Sequence, residues 1–319
     1  MISCTEFVPL YSDFFTYLDD FGGHAEVEKY WAYVSEHRLG DKNNPLALIS
    51  FLEREDDPFV GARKYWGHTL KEEKTDKESL VDLERGFSYS HMRRCPSKGK
   101  LIECKHITPY YDYCGHCEAI FRPLLARYGL GYEMDLTDCA KAECRSLLYR
   151  LGDRPSEDEL ADDGKMQYDE MKAEDNEYYH PGFHISCDIA LRYCGELFGD
   201  EGVRAFLAKH TRNYYAPVIE RVREGGVPAL VEWIREYYAV ERMADAVTVE
   251  ELADGVRISA HRDPALEFMK QMNHTPCRNH AERTRTVLAT VCEDCGLEFE
   301  MQALGEDGSC SYTVKERRK

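Results

Sequence analysis

Short segments recur in the same order in both halves of the chain, and this recurrence constrains the fold more than any other feature. The paired segments lie roughly 170 residues apart, far beyond the period of a solenoid repeat. Their shared order predicts two tandem copies of one unit, over residues 1–150 and 177–319, joined by a linker over residues 151–176. The pairs are Phe21-Gly22 with Phe198-Gly199, Tyr65-Trp66 with Tyr237-Tyr238, Glu78-Ser79-Leu80 with Glu250-Glu251-Leu252, Arg94-Cys95-Pro96 with Arg262-Asp263-Pro264, His106 and Pro109 with His274 and Pro276, and residues 129–134 with 296–301.

The predicted linker is the one strong break in composition. Residues 151–176 are dense in Asp and Glu and poor in large apolar side chains, which is typical of a solvated connection. Within it, Ser156 and Glu159 have the spacing of a capping box, so we expect one short acidic helix there.

Each predicted copy begins with helices and ends with strands. Between Val203 and Tyr237, apolar residues recur every three to four positions, which is typical of amphipathic helices. Short alternating segments follow, then two helices and a closing hairpin, and this order predicts an α+β fold. The predicted segments are strands Phe87–Ser90 and Val256–Ala260, helices from Pro96 and Pro264, helices Cys114–Tyr128 and His280–Asp294, and hairpins pairing Gly131–Leu136 with Cys144–Tyr149 and Leu297–Ala303 with Cys310–Val314.

The charge balance narrows the classes of partner. With 41 Lys and Arg against 59 Asp and Glu, the formal net charge is −18, and such a field repels phosphate backbones and anionic lipid. No apolar run approaches the roughly 18 residues that a bilayer span requires, and the first residues lack the pattern of a secretory signal. We therefore expect a cytoplasmic protein that binds a small molecule and neither nucleic acid nor membrane, with its 13 cysteines reduced.

Cys95 stands at a chemically unusual position. Proline is favoured at the first position of a helix, so Pro96 makes Cys95 the predicted N-cap. A thiol there faces unpaired backbone N–H groups and the positive end of the helix dipole, and Arg93, Arg94 and Lys98 are its neighbours. These features predict a Cys95 thiol with a lowered pKa. The alternative is a buried, inert cysteine at a helix entry.

A dense group of metal-binding residue types lies in and just after this helix. Cys114 and Cys117 have the spacing that places two sulfurs on one ion, and we predict a zinc or iron site formed by Cys95, His106, Cys114 and Cys117, with His116 as an alternative imidazole ligand. We also predict catalytic roles for Cys95, for Asp112 as a proton acceptor and for His116 as a proton carrier. The alternative is that these thiols pack in the core.

The second copy lacks this set of thiols. Asp263 replaces Cys95, and the stretch from Ala281 to Thr284 aligns with the first thiol pair. Polar residues remain nearby at Cys277, His280 and Arg283. We therefore expect the first copy to carry the chemistry and the second to support the fold. His180, His184 and Cys187 precede the second copy, and either complete a site or mark the start of a helix.

The order of these motifs resembles that of the L-2-amino-thiazoline-4-carboxylic acid hydrolase-like family and, more distantly, that of the 4-vinyl reductase (hydrocarbon-binding) domains. The resemblance rests on an initial helical region, a helix from Cys95-Pro96, a second helix at Cys114-Gly115-His116-Cys117 and a closing hairpin that contains Cys144. It implies an α+β fold with a small-molecule pocket, and hydrolysis of a cyclic amidine-like C=N bond.

Two classes of function follow from these residues. The first is a hydrolase of a small heterocycle that uses either a metal held by thiolates and imidazole or Cys95 as a nucleophile. The second is a non-catalytic protein that binds a small molecule or a metal and uses its cysteines as a structural site.

Overall fold

The computed structural model describes residues 1–161, 166–305 and 307–317. The chain divides into two units. We call Phe15–His180 the thiol unit, and Met1–Phe14 together with Pro181–Lys319 the ion-pair unit. The division differs from the predicted copies, because Met1–Phe14 belongs with the second half of the chain and the predicted linker belongs with the first.

The thiol unit is built on one five-stranded antiparallel sheet. The strands lie in the order β3-β4-β2-β1-β5. Its elements are the end of α1 (Phe7–Gly22), α2 (His24–Val34), α3 (Leu48–Arg54), α4 (Pro58–Thr69), β1 (Asp76–Asp82), β2 (Phe87–Arg94), α5 (Pro96–Glu103), α6 (His116–Arg127), β3 (Leu130–Asp135), β4 (Cys144–Arg150), α7 (Glu157–Leu160) and β5 (Gln167–Met171).

The ion-pair unit contains two long helices and a four-stranded antiparallel sheet in the order β6-β7-β9-β8. Both long helices bend at a glycine, Gly199 with φ 70° and Gly226 with φ 62°, a conformation that only glycine adopts without strain. Its elements are the start of α1, α8 (Phe183–Tyr214), α9 (Ala216–Val240), β6 (Val247–Leu252), β7 (Gly255–Ala260), α10 (Pro264–Gln271), α11 (Glu282–Asp294), β8 (Leu297–Leu304) and β9 (Cys310–Glu316).

Both units contain the same internal sequence of elements: two strands, two helices and two strands. In each, the fourth strand lies between the second and the third. A glycine with positive φ precedes the third strand in both, Gly129 at 73° and Gly296 at 71°. The α+β fold class is therefore confirmed. The shared order fits the proposed duplication, which stays a prediction.

The predicted segments correspond closely to the observed elements. Both proline-initiated helices, both helices after them and both closing hairpins are present. Ser156 and Glu159 form the predicted capping box at the start of α7. The linker is more ordered than expected, because Gln167–Met171 pairs along β1 as an edge strand. Residues 162–165, within the same linker, lie outside the described residues.

The packing of α11 positions the chemistry of the ion-pair unit. Val287, Leu288 and Val291 are fully buried on this helix, which contacts α8, α9 and β8. Burial of these side chains fixes the rotation of the helix, so residues in its first turn face the unit's interior. Over the described ranges, no helix combines the length and the apolarity needed to cross a bilayer.

Candidate functional site

The cap geometry predicted for Cys95 is confirmed. Cys95 is the N-cap of α5, and its sulfur accepts a hydrogen bond from the backbone N–H of Lys98 at 3.4 Å. Its own N–H donates to the carbonyl oxygen of Ala142 at 2.7 Å, which ties the cap to the loop before β4.

The prediction that this cap lowers the thiol pKa is wrong. Burial of the sulfur raises the pKa of Cys95, and the nearby carboxylate of Glu73 raises it further. The backbone N–H groups of Ser97 and Lys98 and the ammonium of Lys98 act in the opposite direction, but they do not offset the loss of water. The resting Cys95 is therefore a neutral thiol.

Five cysteines of the thiol unit lie close enough for the negative charge of one thiolate to raise the pKa of another: Cys95, Cys114, Cys117, Cys139 and Cys144. Burial raises the pKa of both Cys114 and Cys144 to about 12, and Cys95 adds to the shift in each case. Burial likewise raises the pKa of Cys117 well above its usual value, with contributions from Cys95, Cys144 and Cys114. The late cysteine of the closing hairpin thus belongs to the same cluster as the cap and the Cys114–Cys117 pair.

Cys117 and His116 form a thiol–imidazole pair in the first turn of α6. The ring nitrogen Nδ1 of His116 contacts the carbonyl oxygen of Tyr113, which only accepts, so Nδ1 carries the hydrogen. The other nitrogen, Nε2, is then an acceptor, and the sulfur of Cys117 lies 3.6 Å from it. Burial lowers the pKa of His116 to about 4, so the imidazole is neutral near pH 7.

Glu73 is a buried acid that the sequence analysis missed. It lies between α4 and β1, and burial raises its pKa, an effect that His180 opposes. Its charge contributes to the raised pKa of both Cys95 and Cys117, so the carboxyl group lies near the thiol cluster. A carboxyl group with a raised pKa is suited to donate a proton.

The predicted metal ligands do not form a ready-made site. Among the described residues, no three of the ligand atoms of Cys95, His106, Cys114 and Cys117 all lie within 4.8 Å of one another. His106 is exposed in the segment between α5 and α6. Asp112, predicted to be catalytic, has its carboxylate 3.5 Å from the imidazole of His24. The assignment of zinc or iron to this cluster stays a prediction.

The ion-pair unit carries a buried salt bridge at the matching helix start. Asp263 is the N-cap of α10 and accepts from the N–H groups of Ala265 at 2.8 Å and Leu266 at 3.0 Å, as predicted. The same carboxylate accepts from Nη2 of Arg283 at 3.0 and 3.2 Å. Arg283 is only 1% exposed, although it is fully charged near pH 7.

The network continues from Asp263 through histidines to a second aspartate. His280 lies between two carboxylates, with Nδ1 3.2 Å from Asp188 and Nε2 3.8 Å from Asp263. Asp188 also contacts Nε2 of His274 at 3.0 Å and accepts from the N–H of Cys277 at 3.0 Å. Burial opposes the charge on Asp188, but the hydrogen bonds from His274 and His280 hold its pKa well below the usual range.

On its other side, Arg283 reaches a second imidazole. Its Nη1 lies 3.3 Å from Nδ1 of His184, which must accept because a guanidinium only donates. His184 Nε2–H then donates to the carboxylate of Glu241 at 3.0 Å, and the second oxygen of Glu241 accepts from the backbone N–H of Cys4 at 2.7 Å. His184, which the sequence analysis singled out, is thus part of a buried polar chain.

A surface cleft of about 500 Å³ opens beside the Asp188 end of this chain. Arg192, Cys277 and Arg278 are among the residues that line it. Arg192 Nη2 donates to the carbonyl oxygen of Thr275 at 2.6 Å and lies 3.5 Å from Asp188, which links the cleft to the buried network.

Comparison of the chain with protein-family models, with curated proteins and with solved structures finds no match. The family resemblance seen in the sequence therefore stays a prediction. What can be said of function depends on the two clusters described above.

Proposed function

We propose that the protein is a thiol-dependent hydrolase of a small heterocycle, and that Cys117 is its nucleophile and His116 its base. One observation supports this assignment most directly: the sulfur of Cys117 lies 3.6 Å from the acceptor nitrogen of His116, whose other nitrogen is held by a backbone carbonyl. A nucleophile, a base and a group that orients the base are the components that thiol catalysis requires.

Both members of the pair are neutral at rest, so attack is assisted by the base. The sulfur of Cys117 adds to the carbon of a C=N bond while its proton passes to His116 Nε2. The π electrons of the C=N bond move onto nitrogen, which takes that proton from His116 Nε2. The bond from the carbon to one of its two nitrogens then breaks while His116 moves a proton from the retained nitrogen to the departing one, which leaves a new C=N bond on the carbon attached to sulfur. Water adds to this carbon, and the carbon–sulfur bond breaks with return of a proton to sulfur, which restores the thiol.

The proposed substrate is a small, cyclic, amidine-like molecule, and this part of the proposal depends on the family resemblance. The site itself contributes the requirement for an electrophilic carbon. Because burial raises the pKa of the Cys117 thiol, its attack requires a substrate that accepts the thiol proton, and a C=N nitrogen is basic enough to accept it.

The test is hydrolysis of 2-amino-thiazoline-4-carboxylate, followed by mass spectrometry as the gain of one water. We expect turnover by the wild-type protein and its loss in Cys117→Ala and in His116→Gln. Cys104→Ala, which removes a half-buried thiol of the same unit outside this cluster, is the matched control and should keep turnover. Full turnover by Cys117→Ala would contradict the assignment of the nucleophile, and a wild-type protein that leaves the probe intact would contradict the substrate class.

A second candidate is a non-catalytic metal centre in the thiol unit. The observation that favours it is the mutual influence of the thiols of Cys95, Cys114, Cys117 and Cys144, which are the soft ligands that zinc or iron prefers. Metal analysis of protein purified without added metal distinguishes the two. One bound ion that is lost in Cys95→Ser would support the metal centre, and a metal-free protein that still turns over substrate would exclude it.

A further inference from the structure

We propose that the ion-pair unit binds one divalent metal ion of the zinc type through Cys4, His184 and Glu241. We call this site the clasp, because the ion would join three segments of the unit. This site is independent of the thiol cluster, and its ligands differ from the predicted ones in residue and in unit.

The three side chains already converge. The sulfur of Cys4, a ring nitrogen of His184 and a carboxylate oxygen of Glu241 all lie within 4.8 Å of one another, the only such group of three found among the described residues. All three residues are buried. The closest pair, His184 Nε2 and Glu241 Oε2, is 3.0 Å apart, which is a separation that two ligands of one ion can adopt.

The donor set suits zinc. One thiolate, one imidazole and one carboxylate are the three side-chain types that bind this ion, at about 2.3, 2.0–2.1 and 2.0–2.2 Å respectively. Two ligand atoms at these distances from one tetrahedral ion lie about 3.3–3.8 Å apart, so a pair at the 4.8 Å limit must approach by about an ångström. Such a shift is within the reach of side-chain rotation at Cys4, which precedes α1.

The surrounding charges allow a divalent ion here. The guanidinium of Arg283 contacts His184, and this positive charge would oppose a metal if it were unbalanced. It is balanced, because Asp263 accepts two hydrogen bonds from the same guanidinium. When a divalent ion displaces the thiol proton of Cys4, the ring hydrogen of His184 moves from Nε2 to Nδ1 and Arg283 turns away from that nitrogen, so His184 binds as a neutral ring and the ion with its thiolate and carboxylate ligands is neutral.

The positions of the ligands indicate a structural role. Cys4 lies before α1, His184 in the first turn of α8 and Glu241 directly after α9. An ion held by all three would join segments separated by 180 and 57 positions in the sequence. Three protein ligands leave the fourth position of a tetrahedral ion to water, and the burial of all three side chains separates that position from any substrate in solution, which favours a structural role.

The test uses the whole chain loaded with cadmium and observed by cadmium NMR, in which the chemical shift reports the number of sulfur ligands. We expect a resonance typical of one sulfur with nitrogen and oxygen ligands, distinct from any sulfur-rich resonance of the thiol unit. This resonance should disappear in Cys4→Ser and in Glu241→Gln. It should persist in Cys194→Ala, which removes another buried thiol of the same unit.

X-ray absorption of the zinc-loaded wild-type protein gives the same answer without any substitution. One zinc coordinated by a single sulfur and otherwise by nitrogen and oxygen supports the clasp, and where the thiol unit also binds zinc, so that the spectrum averages both sites, the cadmium resonances distinguish them. A wild-type protein that shows no such one-sulfur site, or a one-sulfur resonance that survives in Cys4→Ser, overturns it. Loss of turnover in Cys117→Ala has no bearing on either outcome, so this proposal and the proposed function fail separately.

Discussion

Arg283 and Asp263 form a buried, two-bond salt bridge in the ion-pair unit, at 3.0 and 3.2 Å. Asp263 occupies the helix cap that Cys95 occupies in the thiol unit, and both caps lie beside the start of a second helix. In one unit that helix start supplies thiols and an imidazole, and in the other it supplies a guanidinium. Equivalent positions in two similar folds therefore carry nucleophilic groups in one case and fixed charges in the other.

Replacing Asp263 by alanine should destabilise the ion-pair unit strongly. Loss of a helix cap alone costs about 0.5–2 kcal/mol. Here the same change also leaves the buried charge of Arg283 without its partner, and removing one member of a buried pair costs about 3–5 kcal/mol. We therefore expect the free energy of unfolding, measured by chemical denaturation, to fall by more than the cap alone explains.

Two comparisons make this measurement specific. In Asp263→Ala combined with Arg283→Met, the unpaired charge is gone, so part of the stability should return. Asp245→Ala removes an exposed partner of Arg262 and should cost less than about 1 kcal/mol. A double variant that is no more stable than Asp263→Ala would show that the salt bridge is not the source of the loss.

Local sequence patterns predicted the helix caps, because capping depends on residues that are close in the chain. Pro96 and Pro264 each set the start of a helix, and the residue before each is the observed cap. The partner of Asp263 was not predicted. Arg283 lies twenty positions further on, and only the packing of α11 against α8 brings it to the cap. The sequence shows that residue 283 has a polar side chain, but it does not show that this side chain is buried.

The electrostatics of the thiol unit show a second limit of sequence reasoning. Neighbouring Lys98 and the helix N-terminus both favour a thiolate at Cys95, yet burial outweighs them and raises its pKa. Burial depends on the tertiary fold, as does the approach of Glu73 to the cluster.

The predicted acidic linker shows the same limit. Part of it forms strand β5, because an exposed edge strand requires backbone pairing with its neighbour but no apolar face.

The stability of the ion-pair unit should depend on pH through His280. Burial and Arg283 oppose its positive charge, but the hydrogen bond to Asp188 and the negative charge of Asp263 outweigh them, so its pKa is raised in the folded state. A raised histidine pKa stabilises the fold fully below the unfolded value of about 6.5, and this contribution is lost as pH rises through the folded value. Denaturation curves should therefore show stability falling above about pH 6.5, with a shallower fall in His280→Gln. Identical pH profiles for the two proteins would be evidence against this account.

The thiols of Cys114 and Cys144 should react slowly with iodoacetamide in the folded protein. Burial raises the pKa of each to about 12, whereas an ordinary cysteine titrates near 8.5. Since only the thiolate reacts, their rates near pH 8 should be lower by about a thousandfold and should rise about tenfold for each pH unit. Peptide mapping by mass spectrometry measures each site separately, and unfolded protein provides the reference rate. A plateau near pH 9 in the folded protein would contradict the raised values.

Cys95→Ser and Cys95→Ala should differ in their effect on the thiol unit. Serine can accept the hydrogen bond from the N–H of Lys98 and is a favoured cap, so the first variant should keep the stability of the wild type. Alanine cannot cap, and we expect a loss of about 0.5–2 kcal/mol in thermal or chemical unfolding. Under the proposed mechanism both variants retain turnover through Cys117, whereas a metal centre that includes Cys95 would be lost in both. Loss of a bound ion from Cys95→Ser, at unchanged stability, would favour the metal centre, whereas loss of turnover would contradict a mechanism that uses Cys117 without Cys95.

His116 should remain neutral down to about pH 4. Burial lowers its pKa to about 4, and the contact with the carbonyl of Tyr113 only partly offsets that effect. A lowered histidine pKa contributes stability that is fully present above the unfolded value of about 6.5 and is lost as pH falls through the folded value.

The neutral His116 is then available as a base across the neutral range, so the acid limb of kcat/KM should lie near pH 4 rather than near 6.5. NMR titration of the His116 ring protons gives the pKa directly, with exposed His37 of the same unit as the internal reference. A ring that titrates near pH 6.5, in step with an acid limb at the same pH, would show that water reaches the imidazole and that burial does not set the state of the catalytic pair.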